Sequence, residues 1–309
     1  MSWAAILFGL IFAGFLAPFI RELRKPVVND KVRAEVPGKS VRLSQGTTHC
    51  RWLNDKVRGP VAVCVHGLTT PSFVWDGIAD RLDQLGYRVL VYDLYGRGLS
   101  DRPAAPQTRD FFVRQLSDLI AHEKIEGDIT LIGYSMGGQI ATCYAAEHPD
   151  MLRRLVLIAP AGVARLGGTV NRVAAGLPVL GDWLFRVVFP IRHRKAATRL
   201  RDDQGAPADV AAAQAAQLDW RGFVPSVLSS LRRMIPEVLE DEHRRIGAAG
   251  VPVLAIWAER DESIPLSGMG LLANWNREAE QAQIPGASHW VTITHPQEVV
   301  TAFRKAVHG

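Results

Sequence analysis

Residues 131–138 read Leu-Ile-Gly-Tyr-Ser-Met-Gly-Gly and combine the patterns of a strand, a sharp turn and a helix start. An apolar strand pattern runs into Gly-x-Ser-x-Gly, and a helical pattern follows directly. In so tight a turn the serine takes a strained backbone conformation, and side chains in place of Gly133 or Gly137 would collide with the chain. The turn lifts the Ser135 hydroxyl clear of the sheet, at a helix N-terminus that favours developing negative charge. We therefore predict that Ser135 is a nucleophile; the alternative is an incidental serine in a glycine-rich turn.

The alternation of short apolar strands with helices extends on both sides of this turn. Such alternation predicts an α/β fold with a mostly parallel sheet covered by helices on both faces. The predicted strands cover residues 61–65, 87–92, 129–133, 155–159, 253–257 and 282–284. The predicted helices of this pattern cover residues 72–85, 109–123, 139–146 and 296–307.

The alternation lapses over residues 163–245, which are rich in Ala, Arg and Pro and show helical patterns. We predict that this segment is an inserted helical cap, and that residues 41–162 and 246–309 form the core. Within the cap, an apolar run at 177–189 precedes a basic cluster at 192–195. One hypothesis is that this part of the cap contacts a lipid surface. Ordinary cap packing with a solvated basic face is the alternative.

A serine hydroxyl is a poor nucleophile without a base, and the base needs a carboxylate that orients it. In this architecture the chain order is Ser, then Asp or Glu, then His. Asp261 lies four residues past the end of the strand at 253–257, and we predict that it is the carboxylate. Glu259 and Glu262 are its local competitors.

The base is expected after the last strand, where residues 285–290 read Pro-Gly-Ala-Ser-His-Trp. A Gly- and Ser-rich loop that holds one histidine before a helix suits a mobile imidazole, so His289 is the predicted base. His295 is the second candidate, although its place against a proline is typical of a helix start. His66 is expected to shape its loop. The remaining histidines are expected to be solvated: His49, His122, His148, His193, His243 and His308.

Acyl transfer also requires two N–H donors for the oxyanion that forms in the reaction. The backbone N–H of Met136, next to the predicted nucleophile, is one candidate. The second donor is expected from the loop after the strand at 61–65, which reads His-Gly-Leu-Thr. We predict that the backbone N–H of Leu68 is this donor.

On these motifs the chain resembles the serine hydrolases of the α/β-hydrolase fold. The matching residues are His66-Gly67, Asp93 with Gly96-Arg97-Gly98-Leu99-Ser100, Gly133-Tyr134-Ser135-Met136-Gly137-Gly138, Asp261 and Gly286-Ala287-Ser288-His289. The resemblance implies a Ser-His-Asp mechanism that needs no metal and no organic cofactor. Epoxide hydrolases and haloalkane dehalogenases place Asp at the nucleophile position, where this chain has serine. The elbow, the cap and the N-terminal segment resemble monoacylglycerol-lipase-like, membrane-associated esterases in particular.

Composition excludes several other classes. The chain has 309 residues, 48% of them hydrophobic, and it contains three cysteines. A chain of this size buries a large core without disulfide staples, and its apolar content is too high for a disordered protein. The net charge of +5 is concentrated in residues 21–42 and 163–245. This distribution fits an anionic lipid surface better than a nucleic-acid groove, so no nucleic-acid partner is expected.

Residues 3–20 contain no charged side chain, and a helix of that length spans about 27 Å, close to the hydrocarbon thickness of a bilayer. We predict a membrane anchor at residues 1–23 followed by a linker at 24–40. A signal peptide and a buried or lid-docking helix are the alternatives. Because the basic flank follows the apolar run, the positive-inside rule predicts a single-pass anchor with a cytoplasmic catalytic domain.

The expected function is hydrolysis of carboxylic esters of amphiphilic or lipid type, such as monoacylglycerols or lysophospholipids. The expected partners are a small-molecule or lipid ester and a membrane, reached through residues 3–20 and the cap. Two alternatives stay open at this point. One is a same-fold enzyme of different chemistry, a C–C bond hydrolase or a perhydrolase, and the other is a non-catalytic binding protein. The oligomeric state is left open.

Overall fold

The structure is a computed structural model that describes residues 2–53, 58–165 and 176–308. An eight-stranded sheet forms its centre, in the order β1-β2-β4-β3-β5-β6-β7-β8. Strands β1 and β2 pair antiparallel with their neighbours, and the other strands pair parallel. The predicted α/β fold with a mostly parallel sheet is therefore confirmed. The strands are β1 (Lys39–Leu43), β2 (Gly46–Leu53), β3 (Val61–Val65), β4 (Arg88–Tyr92), β5 (Ile129–Tyr134), β6 (Leu152–Ile158), β7 (Val253–Ala258) and β8 (Glu280–Ile284).

Helices cover both faces of the sheet, because the central strands are apolar on both sides. In β3, for example, Val63 and Val65 face one core cluster whereas Ala62 and Cys64 face the other. The described α-helices are α1 (Trp3–Leu23), α2 (Asp30–Ala34), α3 (Asp76–Gln84), α4 (Arg109–His122), α5 (Met136–Glu147), α6 (Leu180–Asp202), α7 (Ala208–Ala216), α8 (Phe223–Arg233), α9 (Glu240–Ala248), α10 (Ser267–Trp275), α11 (Val291–Thr294) and α12 (Pro296–His308).

The antiparallel hairpin β1–β2 is absent from the sequence prediction. Strand β1 alternates exposed with buried residues and carries two basic side chains, so its apolar signal is weak. It begins at Lys39, inside the segment predicted as a linker, and α2 lies in that segment as well. The linker predicted at residues 24–40 therefore contains two regular elements.

The segment predicted as a cap contains α6, α7 and α8, while its residues 166–175 lie outside the described part of the chain. The predicted end of the cap at residue 245 falls inside α9. This helix packs against α5 and α10 beside the sheet, and its Ile246 is buried in the main core. Packing against the sheet layer thus begins within the segment predicted as a cap.

Helix α1 lies against the cap. The ring of Phe15 stacks on Trp183 with centroids 6.2 Å apart, and the Arg186 guanidinium lies 4.6 Å from the ring centroid of Phe19. Near the end of the helix, Glu22 Oε1 accepts a hydrogen bond from the backbone N–H of Gly222 over 2.7 Å. Among the described residues, α1 is the helix long and apolar enough to cross a membrane.

Three of the histidines expected to be solvated are in fact buried, and the expectation was wrong for them. His49 lies within the sheet, in β2. His193 donates a hydrogen bond from Nε2 to the carbonyl oxygen of Gln214 over 2.8 Å, inside the cap. His243 stacks on Trp275 between α9 and α10. Elements distant in sequence pack over these side chains, so the residues next to each histidine give no signal of its burial.

Candidate active site

The turn between β5 and α5 holds Ser135 in a strained conformation. Its φ is +55° and its ψ is −120°, in a region that side chains rarely adopt. A Cβ on Gly133 would lie 2.4 Å from the carbonyl oxygen of Gly137, and a Cβ on Gly137 would lie 2.0 Å from that of Val65. Both glycines are therefore sterically required, and Ser135 stands at the N-terminus of α5.

The structure brings the predicted serine, histidine and aspartate together. His289 Nε2 lies 3.0 Å from Ser135 Oγ, and His289 Nδ1 lies 2.8 Å from Asp261 Oδ2. The other oxygen of Asp261 accepts hydrogen bonds from the backbone N–H groups of Ser263 and Ile264. Because the aspartate side chain is only 2% exposed, these contacts hold it in one orientation against the imidazole.

The competing residues occupy other positions. Glu259 Oε2 accepts a hydrogen bond from the backbone N–H of Gly286 over 2.6 Å, so this carboxylate ties the β7 loop to the loop of His289. Glu262 is exposed to solvent. His295 lies 2.8 Å from the hydroxyl of Thr294, just before α12.

Sequence reasoning missed the contribution of Tyr134, the residue between the first glycine and the serine of the motif. Its hydroxyl donates to the carbonyl oxygen of His289 over 2.7 Å, and the two rings lie 5.3 Å apart. The tyrosine therefore fixes the backbone that carries the imidazole. No local signal reveals this contact, because 155 positions separate the two residues.

The two predicted N–H donors flank Ser135. A Cβ on Gly67 would lie 3.2 Å from Ser135 Cβ, so the loop that carries Leu68 runs directly beside the serine. Met136 is the first residue of α5. In the described part of the chain, neither the Leu68 nor the Met136 backbone N–H donates to another protein group. Both are available to an anionic oxygen bound next to Ser135.

Metal ligands are absent from the described residues: none of their His, Cys, Asp and Glu side chains form a group of three that could hold a metal ion. The three cysteines are free and buried, at Cys50, Cys64 and Cys143.

Comparison with known families matches residues 60–296 to the family described as the alpha/beta hydrolase fold. The chain belongs to this family. Among curated relatives, the 2-hydroxymuconate semialdehyde hydrolase of Pseudomonas sp. (strain CF600) is 28% identical over 254 residues, which are 79% of this chain and 85% of that protein. Lipase 3 of Moraxella sp. (strain TA144) is 25% identical over 251 residues, 79% of this chain and 76% of that lipase.

Solved structures show the same fold. A crystal structure described as a membrane phospholipase A matches with a TM-score of 0.71 and 19% identity, and the match covers 99% of this chain and 97% of that protein.

Among curated relatives, uncharacterized proteins of Mycobacterium are 26% identical to this chain over 233 residues. The match covers 67% of this chain but only 63% of those proteins.

His66 has the structural role expected of it. Its Nε2 accepts a hydrogen bond from the backbone N–H of Leu94 over 2.8 Å, and its Nδ1 lies 2.9 Å from the carbonyl oxygen of Gly67. Burial lowers the pKa of His66 to about 4, so the imidazole is neutral at pH 7. The neutral ring joins the loop beside Ser135 to the turn after β4.

The fold also buries Arg97, whose role the sequence did not reveal. Its guanidinium donates to the carbonyl oxygens of Leu68 and Tyr95 and to Ser230 Oγ, over 2.8 to 2.9 Å, and to Gln107 Oε1. Ser230 belongs to the cap helix α8. One side chain thus links the loop beside Ser135 to the cap.

Cap side chains complete the surroundings of that loop. Leu68 packs against the apolar cap cluster formed by Phe185, Leu218, Phe223, Val224, Val227 and Leu228. Its neighbour Thr69 accepts a hydrogen bond from Gln214 of α7 over 3.3 Å. On the other side, Ser288 of the histidine loop donates to Gln204, which follows α6. The cap therefore contacts both loops that flank Ser135.

Proposed function

We propose that this protein is a serine hydrolase that cleaves carboxylic esters of amphiphilic or lipid type while held at a membrane by α1. The catalytic residues are Ser135, His289 and Asp261, and the backbone N–H groups of Leu68 and Met136 bind the oxyanion. The observation that carries the proposal is the unbroken hydrogen-bond chain from Ser135 Oγ through His289 to Asp261.

In the first half-reaction, Ser135 Oγ attacks the ester carbonyl while His289 Nε2 takes the hydroxyl proton. Asp261 stabilises the imidazolium that forms, because its carboxylate faces Nδ1 over 2.8 Å. The carbonyl oxygen becomes an oxyanion, which the N–H groups of Leu68 and Met136 stabilise. His289 then protonates the leaving alcohol, and the acyl group remains on Ser135.

The second half-reaction repeats these steps with water as the nucleophile. His289 takes a proton from the attacking water, and the same two N–H groups stabilise the second oxyanion. Collapse of this intermediate releases the carboxylic acid and returns the proton to Ser135 Oγ. The chemistry requires no metal and no organic cofactor.

The lipid character of the substrate rests on how the cap meets α1. The contacts Phe15–Trp183 and Phe19–Arg186 occur in the same order along both helices, so α1 and α6 run in the same direction. If the apolar part of α1 crosses a bilayer, the N-terminal end of α6, which is level with Phe15, enters the edge of the hydrocarbon layer. Large apolar side chains are exposed there, with Val179 63% and Leu180 55% accessible. A cap at this position would receive its substrate from the bilayer.

Labelling with a fluorophosphonate probe distinguishes an enzyme from a binding protein. We expect the probe to modify the full chain, and the Ser135→Ala variant to be unreactive, because only an activated serine attacks the phosphorus. Ser288→Ala is the matched control, since this hydroxyl lies one residue from His289 but contacts Gln204. Absence of labelling in folded wild-type protein would refute the esterase proposal.

A chain-length series of p-nitrophenyl esters tests the substrate class. We expect kcat/KM to be higher for octanoate and longer acyl chains than for acetate, since an apolar cap gains from each buried methylene. A strong preference for acetate contradicts the lipid proposal. Profiling of cellular lipids with the wild-type chain and Ser135→Ala then identifies the natural ester.

We also propose that residues 1–23 are a single-pass anchor with the catalytic domain on the cytoplasmic side. Arg21, Arg24 and Lys25 follow the apolar stretch, as the positive-inside rule requires for this orientation. The full chain is expected to stay in the membrane pellet after carbonate extraction. Intact N-terminal residues in the mature protein, measured by mass spectrometry, would exclude a cleaved signal peptide.

A second candidate function is C–C bond hydrolysis. The observation that favours it is the Pseudomonas relative named 2-hydroxymuconate semialdehyde hydrolase, which is 28% identical over 79% of this chain. A C–C bond hydrolase would use the same serine, histidine and aspartate. Turnover of 2-hydroxymuconate semialdehyde at a higher kcat/KM than any ester of the series would favour this alternative.

A further inference from the structure

A groove of about 580 Å³ lies between α1 and the cap helix α6. Its lining begins at Ala17 on α1 and at Arg186 on α6, next to the contacts Phe15–Trp183 and Phe19–Arg186. Its walls combine apolar side chains with cations. The apolar part includes Pro18, Val187 and Ile191, and Ile191 is 65% exposed.

Four cations line this groove. Lys25 is paired with Glu22 over 2.6 Å, and Arg186 lies 3.5 Å from Asp182. Arg21 and Arg194 form no salt bridge with any described residue. The buried Nε of Arg186 also has no hydrogen-bond partner in the described structure. Guanidinium donors of residues that line the groove therefore have no protein partner in the described structure.

The acidic residues of the groove do not use these donors. One carboxylate oxygen of Glu22 accepts a hydrogen bond from Lys25, and the other accepts one from the backbone N–H of Gly222. Asp219 lines the groove as an exposed side chain and forms no salt bridge in the described part of the chain. Counting these two carboxylates against the four cations, the groove keeps an excess of positive charge.

The position of the groove follows from α1. Arg21 is the first charged residue after the apolar stretch 3–20, so it lies at the headgroup level if that stretch fills the hydrocarbon layer. On α6, Arg186 and Arg194 are eight residues apart and share one face, about 12 Å from each other along the axis. The cations thus surround an apolar groove at the depth of lipid phosphates.

We propose that this groove binds one anionic phospholipid, with its phosphate between Arg21, Arg186 and Arg194 and its first acyl methylenes against Pro18 and Ile191. Guanidinium groups suit phosphate because their paired N–H donors match two of its oxygens. The lipid would join the anchor to the cap at a site separate from Ser135. The inference rests on the proposed membrane insertion of α1 and not on the chemistry of Ser135.

Native mass spectrometry of the full chain in mild detergent tests this site, with phosphatidylglycerol or phosphatidylcholine added. The Ser135→Ala background prevents turnover of the lipid. We expect one phosphatidylglycerol to be retained in preference to phosphatidylcholine. Inorganic phosphate at the same concentration is expected not to displace it, and displacement would show that the free anion is the ligand and overturn the lipid proposal.

Paired variants provide the control. Arg21→Gln with Arg194→Gln removes the two cations of the groove that form no salt bridge. We expect the affinity for phosphatidylglycerol to fall by about tenfold or more. Arg24→Gln with Arg192→Gln removes the same charge outside the groove, from the residue that follows α1 and from α6, and binding is expected to stay within about twofold. Equal loss in both pairs, or no preference for the anionic lipid, refutes the site. The circular dichroism spectrum of each variant reports its folding.

The outcomes separate this inference from the proposed function. If wild-type protein reacts with the fluorophosphonate probe but shows no selective lipid retention, only the groove proposal fails. If lipid is retained but Ser135 is unreactive, only the esterase proposal fails. Complete extraction of the chain by carbonate would show that α1 is not inserted in the membrane. The groove proposal rests on this insertion, so that result would overturn the groove proposal.

Discussion

Arg97 Nε donates to the carbonyl oxygen of Leu68 over 2.9 Å, from a side chain that is fully buried. No carboxylate of the described chain pairs with this guanidinium. Burial therefore lowers the pKa of Arg97 to about 9. A buried charge without a counter-ion is costly, by several kcal/mol in proteins, and neutral acceptors offset only part of that cost. The contact fixes the backbone of Leu68, whose N–H is the second oxyanion donor proposed above.

Replacement of Arg97 tests this positioning role. In Arg97→Lys the charge remains but the planar donor fork is lost, so we expect kcat for the ester substrate to fall about tenfold or more, with a smaller change in KM. Arg102→Lys is the control, because Arg102 is a half-buried arginine that donates to the carbonyl oxygens of Gly98 and Ser100 and not to that of Leu68. Equal losses of kcat in both variants would contradict a specific effect on Leu68.

The assignment of the carboxylate can be tested by isosteric amides. Asp261→Asn is expected to reduce kcat by about four orders of magnitude, because the amide no longer holds the neutral imidazole in the tautomer that accepts the serine proton. Glu259→Gln keeps an acceptor for the Gly286 N–H, so its kcat is expected to stay within about tenfold of wild type. Steady-state kinetics on one p-nitrophenyl ester measures both. The reverse ranking would assign the role to Glu259.

Steric limits at the elbow predict a large loss of stability. The Cβ of Gly137→Ala would lie 2.0 Å from the Val65 carbonyl oxygen, which is backbone and cannot move alone. We expect the free energy of unfolding to fall by more than about 3 kcal/mol in urea titrations. Gly270→Ala is the control in α10, where nothing lies within 4 Å of the new Cβ. This variant is expected to gain up to about 1 kcal/mol from helix propensity.

Acid is expected to destabilise the fold through buried histidines. Burial lowers the pKa of His243 to about 4, so between about pH 4 and pH 6.5 the unfolded chain binds a proton that the folded chain does not. Stability from this group is therefore present above pH 6.5 and is lost as the pH falls towards 4. Relative to wild type, His243→Phe is expected to lose about 2 kcal/mol less between pH 7 and pH 4.5.

Urea titrations at the two pH values measure this difference. His122→Phe, at an exposed position near the end of α4, is the control and is expected to follow wild type. Identical pH dependence of His243→Phe and wild type would show that His243 does not contribute to acid sensitivity.

Local sequence patterns were sufficient for the parallel strands, the elbow glycines and the loops that carry Asp261 and His289. Each is encoded within a few residues, by apolar runs, by glycines at fixed spacing and by the order of elements along the chain. The hairpin β1–β2 was not predicted because its first strand alternates polar and buried residues at the edge of the sheet. Burial of His49, His193 and His243 was missed because elements distant in sequence cover them.

Local patterns in the sequence predicted an α/β protein with a serine elbow and an apolar N-terminal helix. The contacts of Tyr134 with His289, of Arg97 with Leu68 and the cap, and of α1 with α6 became visible only in the folded chain. The physical reason is the separation of the partners along the chain, which is 133 residues for Arg97 and Ser230 and 200 residues for Glu22 and Gly222. Periodicity and spacing report on neighbours within an element, whereas these contacts depend on how complete elements pack.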